Sequence, residues 1–516
     1  MPRNHPQGSG SNLSKCEWTS AVARILTLSL IFTAVCALAA HAQTPKKRWV
    51  ITGAQVADGT GAPLRAINVR IEGDRIVKVG NFAPRKDDTI IRADGLVLAP
   101  GFIDIHNHST EGLEKDPLAE SQVSQGITTV VLGQDGGSPW PIGEYLAKMR
   151  QNPPALNFLM LVGHATVREK VMGDDFRRAA RDDEIEAMEK LVEHEMRDGA
   201  IGLSSGLEYE VGSYSTMEEV VRLARVARRH RGFYISHIRD EADRSFEALR
   251  EAIRIGEEAR LPAQITHIKL GTVGVWGKAD EAVRLVEEAR RHGQDVTADC
   301  YPYDAWHSTI TVLVPNKRYD DPASVERALA DVGGAINVLI SRFQPRPEYE
   351  GRNLEEIARD RGITPVELFI EIVKEGGASV IGKSMIEDDI RTFYQQPWVM
   401  VSSDGGIGMR HPRAAGAFPK VLGQFVREKK WLTLEEAIRK MTSLPAWRLG
   451  LRDRGRIRKG MKADLVLFDP ARVRDRSTFA EPGKLSEGIE KVWVNGETVW
   501  EAGKTTGARP GRVLPR

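Results

Sequence analysis

Leu98-Ala-Pro-Gly-Phe-Ile-Asp-Ile-His-Asn-His108 is a short apolar run that ends in two histidines two positions apart. Alternate residues of a strand point to the same face, so a buried strand here carries His106 and His108 toward one point in space. Neutral imidazole is the commonest metal ligand. The stretch therefore predicts a divalent metal, zinc first, whose remaining ligands come from elsewhere in the chain.

The chain of 516 residues is too long for one small core and predicts more than one structural unit. With 41% apolar and 28% charged residues it has the composition of an ordinary globular protein. The formal net charge is +2 and the basic residues are dispersed, so neither nucleic acid nor an anionic membrane surface is called for as a partner.

Residues 1–42 read as a cleaved export signal, because Arg3, Lys15 and Arg24 precede the apolar run Ile25 to Ala40 and then Ala40-His-Ala42. The alternative, an uncleaved anchor, needs about 20 apolar residues, more than this run supplies. A periplasmic or secreted location is the expectation. Cys16 and Cys36 lie in that signal, which leaves Cys300 alone in the mature chain and excludes a disulfide framework.

Upstream of His106, residues 43–100 alternate short β-rich runs with turn signals: Val50 to Gly53, Ile67 to Gly73, Arg75 to Gly80 and Ile90 to Gly95. The far end, 450–516, reads the same way through Gly460 to Asp469 and Lys491 to Trp500. Two β-rich ends predict one small sandwich built from both termini. Between them, 101–449 alternates strand-like runs with amphipathic helices. The strand candidates are Gly126 to Leu132, Gly199 to Leu203, Phe233 to His237, Ala263 to His267, Val296 to Asp299 and Trp398 to Ser402. Glu184 to Arg197, Met217 to Arg229, Arg244 to Ala259 and Asp280 to His292 are the helices. This α/β repeat predicts a (β/α)8 barrel, with an insertion at about 315–397 placed to cover its mouth.

Catalytic groups of such a barrel sit at the C-terminal ends of its strands. There the sequence offers His106 and His108, Asp135, His237, His267 and Asp404. Four histidines and two carboxylates suit one or two zinc ions, with a position left open for water. A carboxylate beside that water can take its proton and pass it to a leaving amine. Asp404 is the candidate. His164 reads as a mouth-lining or structural residue, and His307 as a substrate contact or an exposed side chain. Gly202 to Gly206 lacks the lysine of a P-loop and the spacing of a dinucleotide fingerprint.

Val97 to His108 and Gly455-Arg-Ile-Arg-Lys-Gly-Met-Lys-Ala-Asp-Leu-Val466 resemble the amidohydrolase superfamily. Gly202 to Tyr209, Ser236-His-Ile-Arg-Asp-Glu241, His267 to Lys269, Asp299-Cys-Tyr-Pro-Tyr303, Ser403-Asp-Gly405, His411-Pro-Arg413 and Phe418-Pro419 narrow that to the D-aminoacylase, or N-acyl-D-amino-acid deacylase, family. The resemblance implies hydrolysis of the amide of a small N-acyl-D-amino acid. It also implies that His237 and His267 hold the tighter zinc, that His106 and His108 form a weaker or optional site, and that Asp404 is the general base and acid. Lys269, Tyr301, Ser308 and Arg413 become candidates for the substrate carboxylate, which a cation meets well. Where the family has a bridging cysteine, Gly133-Gln-Asp-Gly136 places Asp135. A hard carboxylate oxygen in place of a soft thiolate lowers selectivity for zinc and admits two metals, or manganese or cobalt. The competing expectations are a cyclic-amide, acyl-peptide or isopeptide hydrolase on the same scaffold, and a non-catalytic binding homologue.

Overall fold

The computed structural model describes residues 48–515, so the expected signal, 1–42, lies outside the described residues. Among those described, no helix is long and apolar enough to cross a membrane.

The two β-rich ends meet in a sandwich. One sheet orders Arg75–Gly80, Asn68–Glu72, Arg48–Thr52 and Thr89–Arg92. The other has seven strands and places N-terminal Val97–Pro100 beside C-terminal Leu465–Phe468, antiparallel, with Leu465 opposite Pro100. Alternation along each strand turns one face inward. Ile51, Val69 and Ile71 of the first sheet thus pack with Leu98, Leu465 and Trp493 of the second, all fully buried. Burying each large apolar side chain contributes about 1.5–3 kcal/mol, and here that energy ties the two chain ends together.

Val97–Pro100 runs through Gly101 into the first barrel strand, Phe102–Asp104. A Cβ on Gly101 would lie 2.3 Å from the Thr128 side chain, so only glycine lets the neighbouring strand come this close. The barrel continues through Ile127–Leu132, Asn157–Met160 with Val162–Gly163, Leu203–Gly206, Tyr234–His237, Ala263–Ile265, Val296–Cys300 and Val399–Val401, neighbour to neighbour and parallel. Asn157–Met160 pairs with Ile127–Leu132, and Val162–Gly163 pairs with Leu203–Gly206. A parallel bridge between Asn107 and Gly405 closes the ring.

The four expected helices form at Asp182–Asp198, Met217–Arg229, Ser245–Ala259 and Ala279–Arg291. Met217–Arg229 shows why. Thr216 caps it by accepting from the Glu219 N–H at 3.2 Å, and Val220, Leu223, Ala224 and Ala227 form one buried stripe at helical spacing.

The strand expected at Gly199 to Leu203 instead occupies Leu203–Gly206. Gly199 ends the preceding helix at φ 124°, and the two serines beyond Leu203 are satisfied inside the barrel. Ser204 Oγ donates to the Gly133 carbonyl at 2.6 Å, and Ser205 Oγ meets the Tyr234 hydroxyl at 2.7 Å.

Between the last two barrel strands lies a folded unit with its own core. Ala305–Thr309, Ser379–Lys383 and Val338–Arg342 make a three-stranded antiparallel sheet. Helices Pro322–Asp331, Leu354–Arg361 and Pro365–Lys374 pack on it through Leu329, Leu354, Ile357, Leu368 and Phe369. The sheet begins upstream of residue 315, and the helix Glu387–Tyr394 packs on the barrel instead, burying Ile390, Phe393 and Tyr394 in the barrel's core.

Candidate metal centre

His106 and His108 leave the end of the first barrel strand, and their Nε2 atoms lie 3.1 Å apart. From the loop after the second strand, Asp135 places Oδ1 3.5 Å from His106 Nε2 and Oδ2 3.4 Å from His108 Nε2. His237 and His267 end the fifth and sixth strands. His237 Nδ1 lies 3.0 Å from His267 Nε2, which is 3.8 Å from Asp135 Oδ2. Asp404 follows the eighth strand, with Oδ1 3.0 Å from His108 Nε2 and 3.4 Å from His106 Nε2. All six expected ligands converge, and Asp135 sits between the two histidine pairs.

Three of the six occupy left-handed backbone: Asp135 at φ 53°, His267 at φ 33° and Asp404 at φ 47°. Each such conformation costs on the order of 1–3 kcal/mol and persists where surrounding structure imposes it. Close packing imposes it here, since a Cβ on Gly206 would lie 2.3 Å from the Asp135 carbonyl oxygen.

His106, Asp135, His267 and Asp404 each offer one donor atom within 4.8 Å of the others, and His237, Glu241 and His267 form a second such group. Imidazole nitrogens this close to one another need a shared proton or a cation between them. Asp135 Oδ1 is buried without a hydrogen-bond partner. This nitrogen and oxygen donor set fits one or two divalent ions of the zinc, manganese or cobalt type.

Electrostatics point the same way. Burial alone would raise the Asp135 and Asp404 carboxyls, but His106 beside the first, and Arg413, His106 and His267 beside the second, hold both well below the usual carboxylate range. Both are ionised in the metal-free protein, the form that binds a cation.

Two carboxylates that sequence reasoning gives no role, Asp299 and Glu208, hold the ligands in place. Asp299, fully buried, accepts from the His267 backbone N–H at 3.0 Å, Ser402 Oγ at 2.7 Å and Gln264 Nε2 at 2.6 Å, with Oδ1 3.7 Å from His106 Nδ1. Glu208 Oε2 meets His237 Nε2 at 2.8 Å, which turns Nδ1 toward His267. Such partners fix ring orientation and tautomer. The available signal was a carboxylate at an inward strand position or next to a strand-end glycine.

The proposed carboxylate-binding groups divide. Arg413 Nη1 pairs with Asp404 Oδ2 at 2.8 Å, and Lys269 Nζ donates to both Glu241 oxygens at 2.7 Å. Both residues and Ser308 line a cavity of about 300 Å³ that opens onto the ligands. Tyr301 does not line it: the Arg413 guanidinium stacks on its ring at 4.8 Å, and its hydroxyl lies 4.0 Å from Met385 Sδ. His307 lines the cavity and bonds Ser341 Oγ at 3.0 Å, whereas His164 is buried against Glu219 Oε1 at 2.8 Å and belongs to the scaffold. Trp306, Leu313 and Val332 from the inserted unit form the cavity's apolar wall, the first two upstream of the expected insertion at 315–397.

A family model described as the amidohydrolase family matches residues 89–500. The chain belongs to that family. Among other amidohydrolases, D-aminoacylase of Alcaligenes xylosoxydans xylosoxydans is 36% identical over 492 residues, covering 90% of this chain and 97% of the relative. The N-acyl-D-aspartate deacylase of the same organism is also 36% identical over 492 residues, covering 90% and 94%. The crystal structure of an N-acyl-D-glutamate deacylase from Bordetella bronchiseptica, complexed with zinc and a phosphonate inhibitor, superposes with a TM-score of 0.83 at 33% identity over 91% of this chain and all of that one. This amidohydrolase therefore shares the architecture of enzymes that act on linear amides.

Proposed function

We propose that this amidohydrolase cleaves the amide of N-acyl-D-amino acids, releasing a carboxylate and a free D-amino acid. The observation that carries the reading is the convergence of His106, His108, Asp135, His237, His267 and Asp404 at the floor of a cavity that also presents Arg413. The preference for D-substrates rests on the similarity to D-aminoacylase and the N-acyl-D-aspartate and N-acyl-D-glutamate deacylases.

His106, His108, Asp135, His237, His267 and Asp404 would hold a divalent cation, which would supply Lewis acidity toward an amide carbonyl and toward water. The protein's own groups do the rest. Asp404, held by Arg413 and His108, accepts the proton of the attacking water and returns it to the leaving nitrogen. Arg413 and Ser308 orient the substrate's carboxylate. The insertion's apolar wall limits the access of bulk water.

The cyclic-amide alternative finds no lysine between the histidine pairs, where Asp135 stands, and the Lys269 ammonium is committed to Glu241. Matched N-acetyl-D- and N-acetyl-L-amino acids, offered to the metal-loaded protein, test the reading: turnover of the D-forms supports it, and turnover confined to L-forms or cyclic amides overturns it. We further propose that the chain is exported, as its first 42 residues suggest. A natural N-terminus at or near Gln43, read by mass spectrometry, is the expected result.

A further inference from the structure

The cavity over the metal ligands does not end at them. A second cavity of about 600 Å³ adjoins it and shares Glu208, Tyr209, Val312 and Pro315 as common wall. It runs between the Glu208–Tyr214 segment of the barrel and the Thr309–Tyr319 loop that leads into the insertion. We propose that this cleft is a subsite for a peptidyl acyl group, so that the favoured substrates are short peptides ending in a D-amino acid rather than acetylated D-amino acids. The inference rests on the amide-hydrolase reading above and adds the class of acyl group.

Direction comes from the order of contacts across the centre. Glu208 bonds His237, which meets His267, which faces Asp135. On the far side, His108 meets Asp404 and Asp404 pairs with Arg413. Glu208 thus meets the ligand cluster at His237, and Arg413 meets it at Asp404. A substrate whose carboxylate faces Arg413 and whose amide lies over the ligands sends its acyl group past Glu208 and Tyr209 into the second cavity. An acetyl group stops at the boundary, and a longer acyl chain enters.

The lining selects the chemistry. Tyr209, Tyr214, Tyr319, Thr311, Arg244 and Lys317 give flat rings with hydroxyls and cationic donors, and Glu210, Asp240 and Glu247 add acceptors, a lining that matches peptide carbonyls and N–H groups. Arg239 is not among the available donors, because Glu251 binds it through both carboxylate oxygens. Lys317 is different: its ammonium sits over the Tyr214 ring at 4.3 Å and donates to Ser213 Oγ, with no carboxylate within 4 Å among the described residues. It faces the cleft as a donor for a carbonyl. The reaction stays a hydrolysis. Water adds across the C–N bond, the hydroxyl going to the peptidyl carbon and the hydrogen to the D-residue's nitrogen.

The test uses the full mature chain, metal-loaded, and one D-amino acid carried in three forms: N-acetyl, N-octanoyl and acetyl-glycyl-glycyl. The expected result is a kcat/KM at least about tenfold higher for the peptidyl form than for the acetyl form. In Lys317→Ala and Tyr319→Ala that ratio falls toward one. A peptidyl form no better than the acetyl form, an octanoyl form that gains as much, or variants that slow both forms equally would each overturn the subsite while leaving the amide-hydrolase reading in place. Failure to hydrolyse any of the three would overturn both.

Discussion

His108 Nε2 lies 3.0 Å from Asp404 Oδ1, although 296 positions separate the two residues. Closure of the barrel makes the pair. The His108 backbone N–H donates to the Gly405 carbonyl at 2.7 Å, and the Asp404 N–H donates to the His106 carbonyl at 3.0 Å, so the first and last strands are joined at the two residues that carry the chemistry. Beneath them, Asp104 accepts from the Ser403 N–H at 2.9 Å and from Asn107 Nδ2 at 2.8 Å. Proton acceptor and metal ligand are thus positioned by the same hydrogen bonds that complete the fold.

Asp404→Asn keeps the shape of the side chain and removes its ability to accept a proton. Turnover should fall by about 10²–10⁴-fold, with zinc content and melting temperature close to those of the parent protein. Parallel measurement of kcat and bound metal checks this, and a variant of normal activity removes Asp404 from the proton path.

Metal binding should release protons. Burial alone lowers the His108 imidazole, but Asp135 and Asp404 outweigh it and raise the group to about 9. Burial and Lys269 lower His267, and Glu241, Asp404 and Asp135 raise it to about 10. Both rings are therefore protonated at pH 7.5 in the metal-free protein, whereas ligation requires them neutral. Affinity should rise with pH up to that range and fall as pH drops, with about two protons expelled on loading at pH 7.5. Calorimetric titration of the metal-free protein in two buffers of different ionisation enthalpy reads that release directly, and identical heats in both would contradict it.

Much of this was legible in the sequence. His106 and His108 show their shared direction by strand alternation, and His237, His267 and Asp404 each follow an apolar run of strand length. What stayed hidden depends on contacts distant along the chain. Asp299 reads as one more polar residue until the barrel buries it against His267, Ser402 and Gln264. Ser204 and Ser205 fall outside the expected strand because their hydroxyl partners, Gly133 after the second barrel strand and Tyr234 in the fifth, are distant along the chain. Likewise, nothing local shows that Tyr301 carries the Arg413 guanidinium instead of facing the cavity.

The joint between sandwich and barrel should be sensitive to one charge. Asp464 is buried and pairs with Arg454, while it also accepts from the Asn495 N–H at 2.6 Å and from Asn157 Nδ2 at 3.2 Å. Arg454→Ala leaves that carboxylate without its cation and should destabilise the protein by about 3–5 kcal/mol. Denaturant unfolding measures the loss, and a change under about 1 kcal/mol would show that the pair contributes little.

Asp135 makes a spectroscopic prediction. Among the described residues, Cys300 is buried and absent from the ligand groups. Cobalt-loaded protein should therefore show no thiolate-to-cobalt charge-transfer band in the near ultraviolet, and Asp135→Cys should acquire one. An unchanged spectrum in the variant would place position 135 outside the coordination sphere.

The most direct test of the central claim is hydrolysis of N-acetyl-D-amino acids before and after chelation, with metal content measured on the same samples. Activity toward the D-substrate that disappears with the metal and returns in proportion to zinc, manganese or cobalt restored is the predicted result. Activity that survives complete metal removal, or a fully loaded protein that leaves every such amide intact, would contradict it.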